Sequence, residues 1–114
     1  MVSPVPEEMR ETTFWILTAL ALGRRHGYAL LQEIEEQSEG RVRLRVTTLY
    51  AALERLGSAG LIAPDGDERV TGRVRRYFRL TDSGRSALGG EVARMEASAV
   101  RARINLGLSP SAAL

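Results

Sequence analysis

A chain of 114 residues is one domain's worth, long enough for folding to bury roughly two-thirds of the extended chain's surface in a single core. At 44% hydrophobic and 26% charged it sits with globular chains rather than disordered ones, and the absence of cysteine excludes disulfide frameworks and thiolate zinc sites. The net charge of +2 hides a segregated layout: residues 33–39 hold four acids and no base, whereas residues 69–85 hold six arginines against Asp82 alone.

The first helix is expected to start near Pro6, with Glu7 and Glu8 complementing its positive end, and to run to about Leu22, where Gly23 stops it. Its segment FWILTALAL is apolar nearly all round, so it needs cover on two sides. That segment is too short to cross a bilayer, and the acids before it do not suit a signal peptide, so the expected location is the cytoplasm, with no membrane partner. From Gly27, Leu30, Leu31 and Ile34 follow helical spacing with Glu33, Glu35 and Glu36 facing away, giving a second helix that ends near Ser38.

After a short basic link comes VTTLYAALERL, in which Leu49, Ala52, Leu53 and Leu56 form an i, i+3, i+4, i+7 stripe. The opposite face of this third helix carries Thr47, Ala51, Glu54, Arg55 and Ser58, with Thr48 and Tyr50 on its flanks. Leu61 to Ala63 begin a strand that Pro64 and Asp65-Gly66 are expected to turn, and Arg73 to Leu80 return as the second strand of a hairpin. There Phe78 and Leu80 belong to the core, while Arg73, Arg75 and Arg79 share a face with Tyr77. Thr81 is an N-cap for a fourth helix with the apolar stripe Leu88, Val92, Met95, Ala99, Ala102 and Leu106, a coiled-coil spacing.

Three helices followed by a two-stranded β wing is the order of a winged helix-turn-helix: a mainly α fold with, here, an added C-terminal helix. In that fold the third helix enters the DNA major groove and the wing meets the flanking backbone. Thr47, Ala51 and Ser58 would let a helix approach base edges closely, and Thr48 beside Thr47 is a further candidate for reading sequence. Arg45, Tyr50, Arg55, Arg73, Arg75 and Arg76 would supply phosphate or base contacts.

The stretches HGYALLQEIEE at 26–36, TLYAALERLGSAGLI at 48–62 and GRVRRYFRLTDSGR at 72–85 resemble the PadR-type transcriptional regulators. The resemblance implies a homodimeric repressor of its compact branch on a palindromic double-stranded operator. On it, residues 1–80 are the DNA-binding domain, 81–107 the dimerisation helix and 108–114 a frayed tail. Many members have Ser-Pro ahead of the third helix where this chain has Arg45-Val46, so the usual N-cap is lost. The resemblance also implies a cavity at the dimer interface for a planar aromatic effector. Phe14, Trp15, Val92 and Met95 are the residues placed to line it, although Trp15 reads equally well as plain dimer core.

Two other readings use the same residues. Tyr77 and Phe78 among arginines would also suit base stacking in an RNA or single-strand binder, and the fold can serve as a protein-interaction adaptor. One histidine, no cysteine and scattered carboxylates supply no catalytic pair, no metal site and no call for a cofactor, so an enzyme is not expected. His26 is read as a structural residue near the start of the second helix.

Overall fold

The computed structural model describes residues 9–108. Its elements in chain order are α1 (Glu11–Leu20), β1 (Arg25–His26), α2 (Gly27–Gln37), α3 (Val46–Ser58), β2 (Ile62–Val70), β3 (Arg73–Leu80) and α4 (Asp82–Leu106). Pro6, Glu7 and Glu8, expected to open the first helix, lie outside the described residues. The helix itself begins at Glu11, the acid of its first turn, with Arg10 as an extended N-cap, and it ends two residues before the expected Leu22.

As its composition demands, α1 is covered on more than one side. Ile16, Leu17, Ala19 and Leu20 are buried, and Trp15 packs partly buried against the same core. They meet Leu30 and Ile34 of α2, then the α3 stripe Leu49, Ala52, Leu53 and Leu56, then Ile62 and Leu80 from the sheet. Removing one such fully buried leucine, as in Leu49→Ala, costs about 2–5 kcal/mol through lost transfer energy and the cavity left behind.

The sheet differs from the expected hairpin in two ways. It has a third strand, the two-residue β1, and the order is β1-β3-β2, with Arg25 opposite Phe78 and His26 opposite Tyr77. Pro64 and Asp65-Gly66 do not turn the chain either. They form an irregularity in the β2–β3 register, with Gly66 at φ 91°, and β2 continues beyond it. The reversal comes at Thr71-Gly72, between the paired Val70 and Arg73, with φ of 50° and 75°. Two consecutive positive φ values make a type I′ hairpin turn, whose twist matches that of the strands.

Thr81 joins the sheet to α4. Its hydroxyl donates to the Gly60 carbonyl at 2.6 Å and accepts from the Gly84 N–H at 2.9 Å, so one side chain caps α4 and ties it to the end of α3. Gly84 is buried, and a Cβ there would overlap the Leu61 backbone carbonyl, which explains the glycine inside the first turn of α4. Beyond Glu91, α4 has no buried residue and extends away from the body of the fold.

Candidate nucleic-acid interface

The face of α3 turned away from the core is open. Thr47, Thr48, Tyr50, Ala51 and Arg55 are all exposed, as is Arg45 at the N-cap, where no side chain accepts a capping hydrogen bond. The lost Ser-Pro cap therefore leaves the first N–H groups of α3 unsatisfied by a side chain and available to an outside acceptor. Tyr50 is held rather than loose. Its phenol lies against the α-carbon of Gly27, where a Cβ would overlap the ring, so the start of α2 has room for Tyr50 only because residue 27 is glycine.

The wing joins this face. A groove of about 580 Å³ runs between the start of α2, Tyr50 of α3 and the outer half of the hairpin, and Arg73, Arg75 and Arg76 line it together with His26 and Tyr28. Arg73 and Arg75 are exposed, and among the described residues neither forms an ion pair. Arg76 differs: its Nε lies 3.4 Å from Asp67 Oδ1 across the hairpin. Two free guanidinium groups and one partly neutralised group thus share the groove with Tyr50 of the third helix.

The wing's root is braced by residues that sequence reasoning missed. Arg24 stacks over the Tyr77 ring at 4.1 Å and donates to the Asp65 carbonyl at 2.8 Å, so it grips β3 and the β2 irregularity together. Tyr77 donates its hydroxyl to Glu68 at 2.8 Å, and His26 packs edge-on against the same ring at 5.4 Å. The signal was the pair Arg24-Arg25 before His26, visible as charge but without periodicity to mark a strand. These contacts also occupy both aromatics: Tyr77 is engaged on ring and hydroxyl, and Phe78 packs partly buried against the core. Neither is free to act as a stacking platform for bases.

His26 is the N-cap of α2, its Nδ1 accepting from the Ala29 N–H at 3.3 Å. Burial first, and the nearby Arg75 second, hold its pKa below the ordinary value, with Glu68 opposing. Among the described residues no cluster of acids and histidine is arranged to hold a metal ion. No helix of the described residues is long and apolar enough to cross a membrane.

A second concavity, about 470 Å³, opens between α1 and α4 and brings together Phe14, Trp15 and Met95 of the four residues expected to line an effector cavity. Val92 is not part of its wall and faces solvent. Phe14 and Trp15 meet edge to face at 5.2 Å. At the polar side, buried Glu91 takes a two-point hydrogen bond from Arg94, which, together with the Met9 N–H, keeps its carboxyl below the usual range against the opposing effect of burial.

Three helices with an open third-helix face, a basic hairpin beside it and a long trailing helix define a winged helix-turn-helix protein. The chain belongs to the Transcriptional regulator PadR-like family, whose model matches residues 16–90. Bacillus subtilis PadR, solved in complex with operator DNA, is 25% identical with a TM-score of 0.66 over 74% of this chain and 48% of its own. A transcriptional regulator from Clostridium thermocellum is 25% identical, TM-score 0.68, over 85% and 92% of the two chains. A PadR family regulator from Eggerthella lenta is 25% identical, TM-score 0.66, over 80% of each. By sequence, an uncharacterized protein of Lysinibacillus sphaericus is 31% identical over 64 residues, 56% of this chain and 59% of that one. The match thus spans less than two-thirds of that relative and about half of Bacillus PadR.

Proposed function

We propose that the chain is a homodimeric, sequence-specific repressor that binds a palindromic operator through α3 and the wing and is released by a small planar aromatic or hydrophobic effector. The observation that carries this reading is the single groove shared by Tyr50 of α3 and the wing arginines, because it puts a base-reading helix and a phosphate-binding hairpin on one surface. The operator complex of Bacillus PadR supports the same use of the fold. Dimerisation is supported by the α4 stripe Val92, Met95, Ala99, Ala102 and Leu106, all exposed in the single chain. Effector binding is supported by the Phe14–Trp15–Met95 cleft, which α4 of the same chain walls on one side.

Phosphate contacts give the test. Each one lost should make the dependence of log K on log salt shallower by roughly 0.9. The variant carrying Arg73→Ala and Arg75→Ala is therefore expected to bind every duplex more weakly and with a shallower slope, whereas Thr47→Ala should shift sequence preference. An unchanged slope would remove the wing from the interface.

A further inference from the structure

Arg10 stands at a corner of the fold. As the extended N-cap of α1 it sits where α1 begins, and it is part of the lining of two concavities at once. One is the α1–α4 cleft with Phe14, Trp15 and Met95. The other is a groove of about 380 Å³ formed with Thr47, Thr48, Ala51 and Arg55 on the open face of α3. Among the described residues no other is common to both linings.

The other arginines of the α1–α4 cleft are committed. Arg41 is 2.9 Å from Glu11, and Arg94 holds Glu91. Arg10 is exposed and forms no ion pair among the described residues. A free guanidinium beside the base-reading face is placed to take a phosphate of the strand that α3 approaches. The same guanidinium cannot also serve the cleft.

We propose that Arg10 is a DNA-phosphate contact shared with the α1–α4 cleft, so that DNA and an occupant of the cleft compete for it. This gives the cleft a direct route to the DNA face without any change in dimer spacing. It rests on the DNA-binding reading above and adds to it a residue outside α3 and the wing.

The test uses the full chain and a random-sequence duplex, since a phosphate contact does not depend on the operator. The salt slope is measured for the native chain, Arg10→Gln, Arg10→Lys and Arg41→Gln. Arg10→Gln is expected to be shallower by about 0.9, while Arg10→Lys, which keeps the charge, and Arg41→Gln, whose arginine serves only the cleft, keep the native slope. Anilinonaphthalene sulfonate, added to the level that quenches Trp15, should weaken duplex binding by the native chain and leave that of Arg10→Gln unchanged. A native slope in Arg10→Gln overturns the phosphate contact. Equal weakening of both proteins by the dye, or quenching without weakening, overturns the sharing. Absence of duplex binding by the native chain is a separate result, and it would overturn the DNA-binding reading itself.

Discussion

His26 carries two structural duties on one imidazole, as cap of α2 and as the edge packed against Tyr77. Accepting the Ala29 N–H at Nδ1 requires a lone pair there, so the neutral ring with its proton on Nε2 is the form that fits, and protonation ends the cap. The groups around it are Arg75 and Glu68 of the wing, with Tyr77 and Arg24 at its root. Because burial and Arg75 place the folded-state pKa below the ordinary 6.5, the unfolded chain takes up the proton first. The associated stability is therefore present above about pH 6.5 and is lost as pH falls through and below that value. Urea midpoints are expected to drop between about pH 7 and about pH 5 in the native chain. His26→Asn keeps a capping side chain that does not titrate and should flatten that part of the profile. An equal drop in His26→Asn would assign the pH dependence elsewhere. His26 was legible as structural from the sequence because no second metal ligand accompanies it, but its packing against Tyr77 depends on a strand pairing that nothing local announces.

At the scale of the element, the wing hides the most. A type I′ turn favours asparagine, aspartate or glycine at its first position, and this chain places β-branched Thr71 there at a φ of 50°. Thr71→Asn should relieve that strain and stabilise the protein by about 1 kcal/mol, read from denaturant unfolding. No gain would mean that Thr71 occupies its conformation without cost. The turn was misplaced in the sequence because Pro64 and Asp65-Gly66 carry a stronger turn signal than Thr71-Gly72. In the structure those residues are absorbed as an irregularity in the sheet, which Arg24 braces from outside the hairpin. The α3 stripe, by contrast, was readable residue by residue, since a buried helical face imposes its period directly on the sequence. Arg10 was not: its place beside α3 depends on how α1 crosses the fold, a tertiary fact with no local signature.

Across the molecule, the outer part of α4 buries no residue against the other described residues. The single chain measures 58 × 40 × 23 Å, and α4 presents Met95 at 43% exposure and Leu106 at 72%. Burying both against a second copy recovers apolar area that a lone chain leaves in water. Sedimentation is expected to give twice the chain mass for the native protein and a monomer for the variant with Met95→Glu and Leu106→Glu. A native monomer would leave the α4 stripe unexplained and the palindromic operator without its symmetry. The overall architecture and the family were legible because three helices, a basic hairpin and a capped long helix each leave a pattern within their own residues. The third strand, the joint lining of grooves and the bracing of the wing were not, because each is made by residues distant in sequence. The central claim is that α3 and the wing together read a duplex. It is tested most directly by titrating the native chain, at fixed salt, against the DNA upstream of its own coding region, a shuffled duplex of the same composition and the corresponding single strand. The expected result is tightest binding to an inverted repeat in the upstream duplex, with half-sites about one helical turn apart. Equal binding to the shuffled duplex, or tighter binding to the single strand, would contradict it.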